Sequence, residues 1–145
     1  QMMNTALVAG REELCFSTVD MCIFDLYQGS CELMKAGAST TFIRSSAGVE
    51  KISSATLPVG VLQELEIQRT SRQLGDGDFV IMVTDGVLDA LPVGNQEAML
   101  SALIGGSNIN NPGELAHYLL EQVLEMSGEV PADDMTVLAV GIWKV

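Results

Sequence analysis

Residues Phe79-Val80-Ile81-Met82-Val83 are five consecutive apolar residues, three of them β-branched, and they run straight into Thr84-Asp85-Gly86-Val87. A run this short does not suit a helix, and one this continuously apolar does not suit a strand with a wet face. The stretch 79 to 84 therefore predicts a strand buried on both sides. It ends in a carboxylate followed by a glycine that lets the chain turn sharply, which places Asp85 at the mouth of a rigid element. A bare turn, with Asp85 capping it and Gly86 making it, fits the same residues.

A second stretch has the same character. Thr136-Val137-Leu138-Ala139-Val140-Gly141-Ile142-Trp143 predicts another strand buried on both faces, and Asp133-Asp134 stand immediately before it. If the two strands lie antiparallel and adjacent, the C-terminal end of one meets the N-terminal start of the other. That arrangement would gather Asp85 with Asp133 or Asp134, with Asp89 close behind.

The remaining order is consistent with a mixed chain. Residues 2 to about 12 predict the tail of a helix stopped by Gly10-Arg11. Cys15 to Tyr27, Cys31 to Ala36, Thr41 to Arg44 and Val49 to Ile52 predict strands separated by Gln28-Gly29 and Gly37-Ala38-Ser39, as a meander of antiparallel hairpins. Pro58 and Gly60 make Leu57-Pro58-Val59-Gly60-Val61 an irregular loop. Glu64 to Leu74 alternates as a strand with one wet face, and Gly75-Asp76-Gly77-Asp78 turns into the central strand. Asn95 caps a helix with a stripe of Ala98, Met99, Ala102 and Leu103, stopped by Gly105-Gly106. Asn111-Pro112-Gly113-Glu114 starts a longer one whose broad apolar face is Leu115, Leu119 and Val123 beside Ala116, Leu120 and Leu124, up to Ser127-Gly128. His117 lies off that stripe and reads as a surface residue. Leu88, Leu91 and Val93 read as core packing rather than as a docking patch.

With 145 residues the chain suits a single domain, 1–145. Nineteen acids against 7 bases give a net charge of −12, which argues against nucleic acid or an anionic membrane surface as a partner and favours cations or a basic protein surface. Cys15, Cys22 and Cys31 form no C-x-x-C pair and read as reduced core residues of a cytoplasmic protein. No stretch approaches the roughly 18 apolar residues of a membrane span. Gln1 opens directly into an apolar run without an initiator methionine, so the sequence reads as a piece of a longer protein.

Carboxylates gathered at one end of a sheet repel unless something positive sits among them. No lysine or arginine lies within several residues of Asp85 or Asp133. The natural partner is then a hard divalent cation, Mg²⁺ or Mn²⁺, which prefers oxygen ligands and can supply activated water and a clamp for a phosphoryl group. The sequence holds no Ser-His-Asp order, glycine-rich phosphate loop or HExxH, which leaves phosphoester hydrolysis without a protein nucleophile. Asp76-Gly77-Asp78-Phe79-Val80 matches the DxDx[TV] pattern of haloacid-dehalogenase-type phosphatases, but it precedes a buried strand instead of following one and reads as a hairpin turn.

The chain resembles the protein phosphatase 2C-like (PPM) family, and within it the bacterial branch typified by stage II sporulation protein E. The resemblance rests on Val80 to Val87 with Asp133-Asp134-Met135-Thr136-Val137, on Phe16-Ser17-Thr18-Val19-Asp20 leading to Phe24-Asp25-Leu26-Tyr27, on Lys35-Ala36-Gly37-Ala38 with Phe42-Ile43, on Leu57-Pro58-Val59-Gly60, and on the Gly77-Asp78 turn. It implies an α+β fold, an α-β-β-α sandwich of mainly antiparallel sheets flanked by helices. It also implies two Mn²⁺ or Mg²⁺ ions and hydrolysis of phosphoserine or phosphothreonine by metal-activated water. The usual substrate in this branch is a phosphorylated STAS-type anti-anti-sigma protein. Carried over by residue, Asp85 matches a metal ligand and Gly86 its adjoining turn. Asp133 matches the other ligand better than Asp134 does. Leu57, Pro58, Val59 and Gly60 match a regulatory segment that couples helix movement to metal binding.

One departure stands out. The family's first metal motif, of Asp-Gly-x-Gly type, has no counterpart in these residues, so the chain reads as an N-terminally truncated, C-terminal part of such a domain that binds metal weakly and catalyses poorly by itself. Upstream regulatory, sensor or membrane regions and a homodimer remain open. A non-catalytic regulatory module that binds a phosphoprotein is the alternative, and another two-metal phosphoesterase is disfavoured by the lack of histidine ligands.

Overall fold

A computed structural model describes residues 2–9, 16–64, 66–128 and 132–143. Its elements are α1 (Met2–Ala9), β1 (Val19–Asp25), β2 (Ser30–Ala36), β3 (Thr41–Ser45), β4 (Gly48–Ile52), β5 (Gln68–Gln73), β6 (Phe79–Val83), α2 (Asp85–Asp89), α3 (Gln96–Gly106), α4 (Pro112–Ser127) and β7 (Val137–Gly141). They form two compact units, each built around one antiparallel sheet. The expected mixed α+β class with mainly antiparallel sheets is what forms.

The first unit holds α1 and the sheet β1-β2-β5. Strand β1 starts only at Val19, because Ser17 pairs with Val59 instead, and Asp25 ends it before Tyr27: its Oδ1 accepts from the backbone N–H groups of both Tyr27 and Gln28 at 2.9 Å, an Asx turn. Residues 10–15, including Cys15 and the expected Gly10-Arg11 stop, lie outside the described residues. Alternation along β2 buries Cys31, Leu33 and Lys35 on one face. The Lys35 ammonium, 1% exposed, meets Asp20 Oδ2 at 2.6 Å across the β1–β2 pair. Strand β5 starts later than expected. Leu65 lies outside the described residues and Ile67 precedes the strand, so what pairs with β2 is the polar Gln68-Arg69-Thr70-Ser71-Arg72-Gln73.

Asn4 of α1 is buried and fully used. Its Oδ1 accepts from Gly60 N–H at 2.8 Å, and its Nδ2 donates to the carbonyls of Leu62 and Gln63 at 3.1 Å. Within the same unit Val59 is buried and pairs with Ser17 through two backbone bonds of 2.9 and 2.8 Å. The irregular loop 57–61 is thus pinned from three sides, with Pro58 packed directly against Gly37, whose φ of 60° and missing Cβ admit it.

The second unit is the sheet β4-β3-β6-β7 with α2, α3 and α4. As expected, β6 is its central strand and is buried on both faces. The expected meander breaks between β2 and β3. β1–β2 and β3–β4 are hairpins, but β2 takes β5 as its other neighbour and β3 takes β6. For the same reason Gly75 to Asp78 is a turn without being a hairpin. Gly75 N–H is bound to Asp78 Oδ2 at 2.7 Å, and Gly77 N–H donates to Ile142 O at 2.8 Å.

The core of this unit packs Phe42, Phe79, Ile81 and Val83 against Leu100, Ile104, Leu115, Leu119 and Val123. Helix α4 buries Leu115, Leu119 and Val123 as predicted and half-buries Ala116 and Leu120, but Leu124, expected on the same broad face, is exposed because it lies at the edge of that stripe. Asn111 accepts from Glu114 N–H at 3.0 Å, and Gly128 closes the helix at φ 64°. In α3 the stripe falls elsewhere: Leu100 and Ile104 are fully buried while Ala98 and Ala102 are exposed. An almost continuously apolar helix leaves its period ambiguous, and larger side chains gain more from burial than alanines do. Strand β7 is also corrected. It is an edge strand whose Val137 and Ala139 face the core while Leu138 is 52% exposed, so it is not buried on both faces. Leu91 and Leu88 pack inward as expected, whereas Val93 is fully exposed.

Candidate functional site

The two acid-bearing segments meet. β6 and β7 pair antiparallel in a register that sets Val83 opposite Val137, and the pairing continues one step beyond both strands, where Thr84 N–H donates to Thr136 O at 3.1 Å. Asp85 follows as the first residue of α2 and is exposed. Asp133 and Asp134 are exposed on the segment leading into β7. The strand-end geometry inferred from the two apolar runs is therefore present.

Gly86 is buried beneath the Asp133-Asp134 backbone. A Cβ at this position would collide with Asp134 O and lie 3.4 Å from Asp133 O. Its lack of a side chain is what permits the close approach. Thr84 adds a side-chain link, because its Oγ1 accepts from Thr136 N–H at 2.9 Å and donates to Asp134 O at 3.3 Å. Asp133 Oδ1 accepts from Asp134 N–H at 2.8 Å, which orients the Asp133 carboxylate. The main chain of Asp134 is thus engaged with Gly86 and Thr84.

The short helix α2 was not foreseen in the residues, since Asp-Gly reads first as turn chemistry. Its formation makes Asp85 a helix-start residue and carries Asp89 to the helix end. Beside it lies an open depression of about 520 Å³ lined by Asp85, Leu88, Asp89, Gly94, Asn95, Gln96 and Glu97. Glu97 is held by Thr40 Oγ1 at 2.5 Å and by Lys51 Nζ at 3.1 Å. The Thr84 hydroxyl was also missed. A hydroxyl-bearing β-branched residue between an apolar strand and an Asp-Gly is the signal that points to it.

Among the described residues no three His, Cys, Asp or Glu side chains come together as a metal cluster. His117 is exposed and paired with Glu121 at 3.1 Å on α4, as its place off the apolar stripe predicts. The donors at the β6–β7 ends are carboxylate oxygens, with neither nitrogen nor sulfur among them. This donor set fits a hard cation such as Mn²⁺ or Mg²⁺ as part of a shell. Leu57, Pro58, Val59 and Gly60 belong to the first unit and the acid pair to the second.

Two antiparallel sheets with helices, and acid-bearing segments paired at adjacent strand ends, match the architecture of solved PP2C-class phosphatase domains. The match extends over nearly the whole sequence. Residues 1–143 match the family Stage II sporulation protein E (SpoIIE), and the chain belongs to that family. Stage II sporulation protein E of Bacillus subtilis (strain 168) is 33% identical over 141 residues, which are 97% of this chain and 17% of that protein. A solved structure of the PP2C phosphatase domain and a fragment of the regulatory domain of SpoIIE from Bacillus subtilis superposes with a TM-score of 0.87 at 33% identity, covering 96% of this chain and 42% of that one. The manganese-presoaked phosphatase domain of the same protein gives a TM-score of 0.77 at 34% identity, covering 89% and 57%. The chain therefore spans less than two thirds of each of these relatives.

Proposed function

We propose that this chain supplies the C-terminal metal-binding half of a protein serine/threonine phosphatase domain, with Asp85 and Asp133 as ligands to Mn²⁺ or Mg²⁺. The observation that carries the reading is the seat of Gly86 and Thr84 under Asp133-Asp134, which fixes two carboxylate-bearing segments against each other at adjacent strand ends. When bound, the ions supply an activated water and neutralise the phosphoryl oxygens. The chain's own contribution is to hold the carboxylates. β6, buried on both faces, makes Asp85 rigid, and Asp134 N–H keeps the Asp133 carboxylate turned. Asp134 is the weaker ligand candidate on the resemblance to the family's motif, in which the first aspartate of the pair matches the ligand.

The substrate we propose is phosphoserine or phosphothreonine on a regulatory protein, of the STAS-type anti-anti-sigma class, acted on in the cytoplasm. Among the described residues no helix is long and apolar enough to cross a membrane, in keeping with this reading. The proposed regulatory segment is the loop 57–60, which Asn4 ties to α1.

A second reading, a module that binds a phosphoprotein without hydrolysing it, is favoured by one observation: the described residues assemble no three-ligand cluster. Phosphate release from a phosphoserine peptide with and without Mn²⁺, beside Asp133→Asn, separates the two. Mn²⁺-dependent release that Asp133→Asn abolishes supports the phosphatase. Peptide binding with no release under any metal supports the module.

A further inference from the structure

We infer that Thr84 is a positioning residue that fixes the spacing between Asp85 and Asp133 by lending its hydroxyl to the β6–β7 ladder in place of its own carbonyl. The pairing register makes Thr84 and Thr136 a pair that would ordinarily exchange two backbone bonds. One is made, from Thr84 N–H to Thr136 O at 3.1 Å. The reciprocal bond goes instead from Thr136 N–H to Thr84 Oγ1 at 2.9 Å. That substitution releases Thr84 O, which accepts from Val87 N–H at 3.1 Å and closes the first turn of α2.

The exchange lets a ladder residue be a helix N-cap at once. Without it, the Thr84 carbonyl would have to serve both Thr136 N–H on the ladder and Val87 N–H in the helix, two donors that approach from different elements. An N-cap threonine ordinarily spends its hydroxyl on the N–H groups of its own first turn. Here Thr84 makes no such side-chain cap, and the hydroxyl proton goes on to Asp134 O at 3.3 Å. One side chain thereby touches both ends of the Asp134-to-Thr136 segment while its backbone starts the helix that bears Asp85. Gly86 completes the seat from the other side by admitting the Asp134 carbonyl.

This inference rests on the metal-binding role proposed for Asp85 and Asp133, and its test keeps the two apart. Thr84→Val preserves the branched shape and removes the hydroxyl, and Thr84→Ser restores the hydroxyl. Mn²⁺ affinity is read by calorimetry for the wild type and both variants, together with hydrogen exchange of the Thr136 amide in metal-free protein. The expected result is about tenfold weaker Mn²⁺ binding and faster Thr136 exchange in Thr84→Val, the loss of one to two net hydrogen bonds. Thr84→Ser should stay within about twofold of the wild type on both readouts. Wild-type Mn²⁺ affinity in Thr84→Val overturns the inference. Should Thr84→Val not fold, the wild-type Thr136 amide decides: protection supports the link, and exchange as fast as that of an unbonded surface amide overturns it. If Mn²⁺ binds none of the three proteins, the metal-binding role falls, and Thr136 exchange decides the link by itself.

Discussion

Gly86 lies so close beneath Asp134 that a methyl group at position 86 would run into the Asp134 carbonyl oxygen, and that oxygen belongs to backbone that cannot swing aside. Gly86→Ala therefore forces the acid-bearing segments apart. Overpacking of this kind costs about 1–3 kcal/mol, so a thermal melt should show a lowered midpoint and calorimetry weaker Mn²⁺ binding. A variant with unchanged midpoint and affinity would show that the close approach is not needed.

The ion pair of Lys35 and Asp20 has a different consequence. Lys35 is 1% exposed on its side chain and Asp20 17%. Removing the ammonium alone leaves a carboxylate in a largely dry place, at a cost of about 3 kcal/mol or more, whereas replacing both partners by apolar residues of like volume is near neutral. Urea denaturation should show Lys35→Met much less stable than the Lys35→Met/Asp20→Leu double variant. Equal losses in the two would mean that the pair is solvated in solution.

How far the residues disclosed this fold depended on how sharply each pattern selects a period. Phe79 to Val83 is too short and too continuously apolar for anything but a buried strand, and Leu115, Leu119 and Val123 repeat at an unmistakable helical spacing; both formed as read. The Asp133-Asp134 placement before the last strand was also enough to infer that two carboxylate ends meet. Strand pairing was less legible. Gly37 and Gly77 signal turns, but a glycine turn does not say whether the next strand pairs with the last one, and at both places the chain passes to the other sheet. The place of Thr84 between an apolar strand and Asp-Gly marks it as a residue of interest, but its partner is not legible there, because the bond comes from a residue 52 positions away.

The Cys22 thiol is pushed far above its ordinary value of 9.0, first by its hydrogen bond with Cys31, then by burial and the nearby Asp20 charge. The folded state thus holds this proton where the unfolded chain releases it. The stability involved is complete below about pH 9 and is lost as pH rises beyond it. Urea midpoints taken at pH 7 and pH 10 should fall more for the wild type than for Cys22→Ala. The folded protein should also react slowly with iodoacetamide at Cys22 at pH 8, because the thiolate is the nucleophile. Equal midpoint shifts, or alkylation as fast as in urea, would contradict this account.

The most direct test of the central claim is a calorimetric Mn²⁺ titration of this chain beside its Asp85→Asn and Asp133→Asn variants. The account predicts weak but measurable binding in the parent, since the sequence holds no Asp-Gly-x-Gly motif, and loss of that binding in each variant. Binding that survives both substitutions, or that is absent from the parent, would contradict the claim that the joined ends of β6 and β7 form a metal site.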